Sequence, residues 1–387
     1  MKRYLLLTLA FILGCTPGVQ KQNGEGTDDK TQAVSLPGTY ETVSVAPIAT
    51  DAKVRNVVLM IGDGMSLSHI ANLYTANKGR VNMLDNAQAI GLAKTTTADT
   101  LITDSGAAGT AMACGVKVNY HAIAVDPEGR ELTTLVDRAH ASGLGTGVVV
   151  TCRLWDATPA AFLAHNVSRD EEEDLIGDFP TSNCDLIIGG GAQLFQNRTD
   201  GRDIIAEMES AGYTVSRTLG EFSERSDAPK HLVLVADKDT PLPAERGDYL
   251  SDASIQAMDQ LKGQHPDGFF IMIEGSQLDD YGHFNDLDLL MQETADFDRT
   301  VGAVMKWAEQ DGETLVVVTA DHETGGLTLV GGSRHTGTTV GHFSTGSHSG
   351  VLVPVYTYGA GANAFTGVYE NTEIFHKISQ ALNLTQP

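Results

Sequence analysis

Seven short apolar runs rich in β-branched residues recur along the chain, and segments long enough for a helix separate most of them. Continuous apolar strands are typical of a largely parallel sheet that helices cover on both faces. We therefore predict one doubly wound α/β domain with a mostly parallel central sheet. The predicted strands are 56–61, 146–151, 185–188, 231–235, 269–273, 315–319 and 353–358. The clearest helical periodicity covers 133–141, 203–211, 252–261 and 291–309.

The N-terminus has the pattern of an export signal. Lys2 and Arg3 precede an apolar run over 4–13, which is too short to span a bilayer as a permanent helix. Gly14 directly before Cys15 resembles a bacterial lipobox, in which the cysteine is lipidated and becomes the mature N-terminus. The alternative is an ordinary signal peptide that contains a chance cysteine. In both cases we expect export, to the periplasm or to the outer membrane as an anchored lipoprotein.

Polar residues without periodicity follow this run. We predict a lipoprotein-type signal peptide over 1–14, a flexible tether over 15–45 and one folded domain over 46–387. Contact with a membrane is expected only through a lipid on Cys15.

The chain is strongly acidic, with 26 Lys and Arg against 50 Asp and Glu and a formal net charge of −24. This charge argues against nucleic acid as a partner, because the nucleic acid backbone would be repelled. It repels small phosphate-bearing molecules as well. Chemistry on such molecules would need local positive charge, which metal ions supply most readily.

Side chains suited to metal binding gather at the ends of four predicted strands. In doubly wound sheets the ligand site lies beyond the carboxyl ends of the strands. The residues at these ends are Asp63, Asp156, Thr158, Arg169, Glu274, Asp279, His283, Asp321 and His322, and His348 precedes the run 353–358. Mixtures of Asp and His suit zinc, whereas Asp, Glu and Thr oxygens suit magnesium. A lone strand-end Asp is more often a helix N-cap, but four such ends together predict a metal centre.

Ser105 is the candidate nucleophile. It lies in the segment 103–113, where small residues open a helix that packs closely on the sheet. The alternative is that Ser105 is simply the N-cap of this helix. A helix N-terminus also places its hydroxyl in a positive backbone potential suited to an anionic substrate. No basic residue adjoins Ser105 in sequence, so activation would have to come from a group close in space, such as a metal ion.

Six motifs that contain these residues follow one another in a fixed order. They are IGDGM at 61–65, TDS at 103–105, DATPA at 156–160 with Arg169 further on, EGS at 274–276, TADHET at 319–324 and GSHSG at 346–350. Together they resemble the bacterial alkaline phosphatase family over about residues 46–385. The resemblance implies that Ser105 attacks phosphorus and forms a phosphoserine, and that Arg169 holds two phosphate oxygens.

The resemblance also implies two zinc ions and one magnesium ion as cofactors. The ligands would be Asp279, His283 and His348 for one zinc, Asp63, Asp321 and His322 for the other, and Asp63, Thr158 and Glu274 for magnesium. Two metal ions about 4 Å apart are able to stabilise the attacking and the leaving oxygen of phosphoryl transfer together.

Two features depart from better-known members of that family. Asp280 stands where relatives commonly carry Lys, His or Trp beside the phosphate. We expect Asp280 to lie near bound phosphate, with Asp156, and to weaken phosphate binding; the alternatives are that it turns outward or pairs with a cation. The segment between His322 and His348 is short, so a large crown-like insertion is small or absent. His335 and His342 in this segment are interpreted as surface residues.

The function predicted from this resemblance is hydrolysis of small-molecule phosphate monoesters by a catalytic domain over 46–387. A phosphodiesterase or sulfatase on the same scaffold is the enzymatic alternative, but such relatives commonly use Thr or a modified Cys as nucleophile. A lipoprotein that only binds metal or phosphate is the alternative from another class. The resemblance further implies a homodimer, which no residue pattern of the chain itself indicates.

Overall fold

The computed structural model describes residues 30–385. The strands are β1 (Thr31–Ser35), β2 (Asn56–Gly62), β3 (Ala89–Lys94), β4 (Gly145–Arg153), β5 (Leu186–Gly190), β6 (Thr214–Ser216), β7 (His231–Leu234), β8 (Phe269–Gly275), β9 (Thr314–Thr319), β10 (Glu323–Thr324), β11 (Leu327–Ser333), β12 (Thr338–Phe343), β13 (His348–Ser349), β14 (Val353–Gly359) and β15 (Gly367–Glu370). The helices are α1 (Leu67–Ala76), α2 (Asn82–Asn86), α3 (Ser105–Cys114), α4 (Leu135–Ala141), α5 (Ala157–Leu163), α6 (Glu172–Gly177), α7 (Ala192–Gln196), α8 (Ile204–Ser210), α9 (Leu219–Glu224), α10 (Pro243–Arg246), α11 (Tyr249–Gln264), α12 (Leu278–His283), α13 (Leu287–Asp311) and α14 (Thr372–Ala381).

A ten-stranded sheet forms the centre, in the order β15-β3-β14-β9-β2-β8-β4-β5-β7-β6. Only β14 runs against its neighbours; the other adjacent pairs are parallel. The central strands β2, β8 and β9 are buried along their whole length, as continuous runs of Val, Ile, Leu, Met and Phe require. The prediction of a mostly parallel α/β sheet is confirmed.

Helices cover both faces of this sheet. Successive residues of a strand point to opposite faces, so Phe269 and Phe270 of β8 report on the two sides. The Phe269 ring contacts Trp307 of α13, whereas the Phe270 ring contacts Phe162 of α5. The helices α11 and α13 thus pack on one face, and α3, α4 and α5 pack on the other. No helix within residues 30–385 has the length and apolar character needed to cross a membrane.

All seven predicted strands and the four predicted helices are present, with ends shifted by a few residues. The strands that sequence patterns missed lie away from the centre. β3 is a six-residue strand, Ala-Ile-Gly-Leu-Ala-Lys, that alternates buried and more exposed residues, and β6 and β15 are short edge strands. Their pairing partners are distant in sequence, so local patterns carry little signal for them.

The prediction of a flexible tether over 15–45 was wrong for residues 30–45. β1 pairs antiparallel with β12, and the following residues dock on the domain. The backbone N–H of Tyr40 donates to Asn77, and its hydroxyl donates to Asp298 Oδ2 at 2.7 Å. This polar segment is ordered because β1 pairs with the edge of β12 and because Asn77 and Asp298 accept hydrogen bonds from Tyr40. Residues 1–29 lie outside the described part of the chain, so the signal peptide, Cys15 and the rest of the tether stay predictions.

In place of a large insertion, the segment between His322 and His348 contains the strands β11 and β12, which form a small antiparallel sheet with β1 in the order β1-β12-β11. His335 is exposed, and His342 Nδ1 lies 2.7 Å from the Thr31 hydroxyl. Within residues 30–385, neither histidine belongs to a group of side chains able to hold a metal ion.

Tyr40→Phe is expected to lower the free energy of unfolding by about 1–2 kcal/mol, because the buried Asp298 carboxylate loses one donor. Urea unfolding followed by circular dichroism measures the change. Tyr74→Phe is the control, since its hydroxyl accepts a hydrogen bond from the exposed guanidinium of Arg334, and about 0.5 kcal/mol or less is expected there. Equal effects of the two substitutions would contradict the docking of residues 30–45.

Candidate active site

Four adjacent strands at the centre of the sheet, β9, β2, β8 and β4, end at one edge, and an acidic residue stands at each end. Asp63 directly follows β2, and Glu274 is the last residue but one of β8. Asp321 comes two residues after β9, and Asp156 comes three residues after β4. Because these strands are parallel, their carboxyl ends bring the four side chains to the same edge.

The turn after β2 requires glycine. Gly64 has a φ of 69°, in the left-handed region that favours glycine, and its N–H donates to Asp321 Oδ1 at 3.1 Å. A Cβ at this position would lie 2.7 Å from Thr324 Oγ1 and 3.0 Å from Asp279 Oδ1. The turn therefore allows three segments of the chain to approach one another closely.

Two groups of three side chains place metal-ligating atoms within 4.8 Å of one another. The groups are Asp279, His283 and His348, and Asp63, Asp321 and His322, the same sets that the resemblance implies. In the first group, His283 Nε2 lies 3.1 Å from His348 Nε2 and 3.2 Å from Asp279 Oδ2. In the second, His322 Nε2 lies 3.0 Å from Asp321 Oδ2 and 3.5 Å from Asp63 Oδ1. Both sets have the chemistry of zinc ligands.

Backbone carbonyls orient two of the imidazoles. His283 Nδ1 lies 3.0 Å from the Gly346 carbonyl oxygen, and His348 Nδ1 lies 2.8 Å from that of Thr103. A carbonyl only accepts, so Nδ1 carries a hydrogen in both rings and the two Nε2 atoms face each other. This close approach of two ring nitrogens accommodates either one proton or one cation. Burial and the neighbouring His322 lower the pKa of His348 to about 4, which leaves its Nε2 lone pair free for a metal ion.

Thr324 orients the third imidazole. Its hydroxyl donates to Asp279 Oδ1 and lies 3.2 Å from His322 Nδ1. Because that hydroxyl hydrogen is already used, His322 Nδ1 must be the donor in the second contact. His322 Nε2 is then the atom that faces Asp63 and Asp321.

Several buried oxygens of the site have no hydrogen-bond partner of acceptable geometry among the described residues. They are Asp63 Oδ1, Thr158 Oγ1, Glu274 Oε1 and Asp321 Oδ2. Buried oxygens of this kind are costly unless a donor or a cation satisfies them. The other oxygen of Glu274 accepts from the Ser276 hydroxyl at 2.8 Å, which fixes the direction of the first. The residues present therefore fit magnesium, which prefers hard oxygen ligands.

The carboxylates repel one another at this edge. Burial and the charges of Asp321, Asp279 and Glu274 raise the pKa of Asp63 well above its usual range. Burial, together with Asp156 and Asp321, raises the pKa of Glu274 to about 8. Divalent cations would remove this repulsion, and they would hold both groups in the charged form.

Ser105 is the first residue of α3 and is buried beside the second metal-ligand group. The N-cap of α3 is Asp104, whose carboxylate accepts from the N–H groups of Gly106 and Ala107. The interpretation of Ser105 as an N-cap is therefore wrong, because its neighbour has that role. Ser105 Oγ lies 3.2 Å from His322 Nε2. Its hydroxyl thus lies both at a helix N-terminus and next to a nitrogen that could ligate a metal ion.

Arg169 lies on the wall of a cavity of about 600 Å³ that opens above these groups. Its Nη2 donates to Asp156 Oδ1 at 2.9 Å, and its Nη1 donates to Asp104 Oδ2 at 3.3 Å. Asp279, His283 and His348 line the same cavity. The guanidinium is therefore fixed by two carboxylates and faces the space above the metal-ligand groups.

The family model for alkaline phosphatase matches residues 54–342. The chain belongs to the alkaline phosphatase family. It is 36% identical over 299 residues to alkaline phosphatase 4 of Bacillus subtilis (strain 168), a match that covers 72% of this chain and 63% of that protein. It is 29% identical over 421 residues to alkaline phosphatase 3 of the same organism, covering 85% and 89%. The structure is similar to that of the alkaline phosphatase from the Antarctic bacterium TAB5, with 38% identity, a TM-score of 0.82 and coverage of 86% of this chain and 100% of the other.

Asp280, the residue that departs from the pattern of well-known alkaline phosphatases, is exposed on α12 and is not among the residues that line the cavity. Although it keeps contact with solvent, the surrounding protein and the carboxylates of Asp156, Asp279 and Asp239 raise its pKa to about 6, while Arg153 lowers it. Asp156 faces Arg169 directly. The proposed effect of Asp280 on phosphate stays a prediction.

Sequence reasoning missed four residues of this alkaline phosphatase site: Asp104, Arg153, Asp239 and Thr324. Asp104 carried a signal, since an Asp before a run of small residues is a common N-cap. Arg153 also carried one, as a cation at the end of a strand that leads to acidic residues. Thr324 is the last residue of the motif TADHET, but the motif does not indicate its contact with Asp279. Asp239 carried no signal, because its role depends on a contact with a residue far away in sequence.

Removal of divalent ions is expected to lower the melting temperature more at pH 8 than at pH 5.5. In the ion-free folded state the pKa of Glu274 rises from 4.5 to about 8, so the folded state binds more protons than the unfolded state between these values. Its stability then falls as pH rises through that window. The ion-loaded state escapes this loss because cations neutralise the carboxylates.

Calorimetry with and without a chelator at both pH values measures the effect. Glu274→Gln is the matched variant: after chelation its melting temperature is expected to depend less on pH. A chelator effect of equal size at pH 5.5 and pH 8 would contradict the role of these carboxylates.

Proposed function

We propose that this protein hydrolyses small-molecule phosphate monoesters by transferring the phosphoryl group first to Ser105 and then to water. One observation carries the proposal: the buried Ser105 hydroxyl stands at the N-terminus of α3, 3.2 Å from Nε2 of His322 in the second metal-ligand group, and the preceding residue Asp104 lines the Arg169 cavity. Membership of the alkaline phosphatase family supports this activity.

We also propose the cofactors, two zinc ions and one magnesium ion. Asp279, His283 and His348 would hold one zinc, Asp63, Asp321 and His322 the other, and Asp63, Thr158 and Glu274 the magnesium. When bound, these ions would favour the alkoxide form of Ser105, activate water and neutralise the leaving oxygen. A variant of the TAB5 enzyme, 39% identical to this chain, was solved with Mg bound in its M3 site, which supports the magnesium proposal.

The side chains of this protein supply binding and orientation. Arg169 would donate two parallel hydrogen bonds to two phosphate oxygens, since Asp104 and Asp156 hold its guanidinium in place. The N-terminus of α3 adds positive potential at the same point. Ser105 Oγ then forms a bond to phosphorus as the bond to the alcohol oxygen breaks. Water attacks the phosphoserine in the second step and releases inorganic phosphate.

For the segment before residue 30 we propose export and a lipid anchor at Cys15, with the folded domain in the periplasm or at the outer membrane. The sequence pattern of 1–15 supports this. Radiolabelled palmitate should label the full-length protein in cells and should fail to label Cys15→Ser.

The homodimer stays a prediction, which light scattering of the folded domain would test.

Ser105→Ala is expected to lower kcat for p-nitrophenyl phosphate by about 10³-fold or more, because the covalent route is lost. Zinc content and phosphate binding should stay close to those of the wild type. Ser347→Ala is the control, since it removes an exposed hydroxyl from the same cavity. Trapping of the phosphoenzyme at low pH followed by peptide mapping identifies the nucleophile. Label on a peptide without Ser105 would refute the assignment.

Asp280→Lys is expected to tighten inhibition by inorganic phosphate several-fold and to slow turnover if phosphate release limits it. Two like charges about 6 Å apart repel by roughly 3 kcal/mol at an effective dielectric constant of 20, and water and metal ions reduce this to about 1 kcal/mol. Asp280→Asn should give part of the effect. An unchanged inhibition constant in both folded, zinc-loaded variants would mean that Asp280 does not act on phosphate.

A further inference from the structure

Arg153, the last residue of β4, lines the same cavity as Arg169, and its guanidinium joins two carboxylates. Its Nη2 lies 3.2 Å from Asp156 Oδ2. Its Nη1 donates to Asp239 Oδ1 and Oδ2 at 3.2 and 3.3 Å, and its backbone N–H donates to Asp239 Oδ1 at 2.8 Å. Asp239 thus binds Arg153 through both backbone and side chain, which fixes the position and the direction of the guanidinium.

The Asp156 carboxylate is divided between the two arginines. Oδ1 accepts from Arg169 Nη2, and Oδ2 faces Arg153 Nη2. Arg169 in turn contacts Asp104. The five residues Asp239, Arg153, Asp156, Arg169 and Asp104 therefore form one row of alternating charge, here called the ion-pair row, in which Arg169 is the member proposed to donate hydrogen bonds to phosphate.

Both ends of the ion-pair row are anchored to the fold. At one end Asp104 is buried as the N-cap of α3. At the other end the residues on either side of Asp239 are fastened: the Gly191 N–H donates to the Lys238 carbonyl, and the Thr240 N–H donates to the Thr151 carbonyl at 2.9 Å. Asp239 is therefore held against the ends of β4 and β5 and does not depend on Arg153 for its own position.

We propose that Asp239 and Arg153 are positioning residues for the phosphate-binding guanidinium of Arg169, acting through Asp156. Without Arg153, both Asp156 oxygens are free to turn toward Arg169, so the guanidinium plane loses its single orientation. Bidentate binding of two phosphate oxygens depends on that orientation. The inference rests on the proposed role of Arg169 and adds two residues that do not touch the phosphate themselves.

The sign of the effect separates positioning from simple charge. Asp239→Asn removes a negative charge near the cavity, and by Coulomb's law alone this change would tighten phosphate binding. Loss of positioning weakens it instead. Asp237→Asn is the matched control, because it removes the same charge from an exposed residue of the same loop.

The experiment is calorimetric titration of inorganic phosphate into zinc- and magnesium-loaded full-length protein. We expect Asp239→Asn to weaken phosphate binding by roughly 3- to 10-fold, a typical size for coupled neighbours, and Asp237→Asn to leave it unchanged or slightly tighter. Arg153→Lys keeps the charge but loses the planar guanidinium, which contacts Asp156 and Asp239 at once, so it should weaken phosphate binding by a similar factor. In the Arg169→Ala background, Asp239→Asn should have no further effect.

Unchanged or tighter phosphate binding in Asp239→Asn would overturn the inference. So would an equal loss in the presence and absence of the Arg169 guanidinium, or a lower melting temperature with an unchanged dissociation constant, which a merely structural role would give. Wild-type protein that neither binds phosphate nor turns over p-nitrophenyl phosphate would overturn the proposed function, and the inference with it. Turnover by wild type with no effect of Asp239→Asn would overturn only the inference.

Discussion

The carboxylates at the ends of β9, β2, β8 and β4 are the constraint on which the rest of the structure depends. Asp63, Glu274 and Asp321 are buried, and each has an oxygen without a hydrogen-bond partner of acceptable geometry. Such groups cost free energy of folding, and burial of the mostly apolar strands β2, β8 and β9 offsets this cost. Cations at this edge would replace the repulsion between these carboxylates with attraction and so contribute favourable binding free energy. The stability of the fold and the properties of the site therefore depend on the same buried strands and carboxylates.

Two residues that cap helices at the site also hold the side chain of Arg169 in place. Asp104 caps α3 and contacts Arg169, so Asp104 anchors both the arginine and the helix that begins with the proposed nucleophile Ser105. Asp156 caps α5 and holds the same arginine from the other side. A helix cap is among the best-defined positions of a backbone. Using caps in this way gives the guanidinium an orientation that a free surface arginine lacks.

The sequence was a reliable guide where local patterns decide structure. The central strands are continuous apolar runs, and the ordered motifs placed the metal-ligand residues at their ends. It was a poor guide where distant segments meet. Residues 30–45 look like a tether because they are polar, yet β12 and Asp298 order them. Asp239 has no local signal because its function depends on Arg153, a residue on another strand end. For Ser105 the structure removes the alternative of an N-cap, because the adjacent Asp104 is the cap, and its role as nucleophile stays a prediction.

The net charge of −24 opposes the binding of an anionic phosphate monoester, so the attraction would have to come from groups close to the substrate. Surface charges are screened beyond about 8 Å at physiological ionic strength, so the net charge acts mainly on the encounter with substrate. The ion-pair row, four of whose members line the cavity, contains three carboxylates and two guanidinium groups. The row is thus negative as a whole, and Arg169 alone leaves no surplus positive charge for a phosphate dianion. Its contribution is geometric, through fixed donors. The attraction itself would have to come from the N-terminus of α3 and from the proposed metal ions, so these ions would be needed for substrate binding as much as for the chemical step.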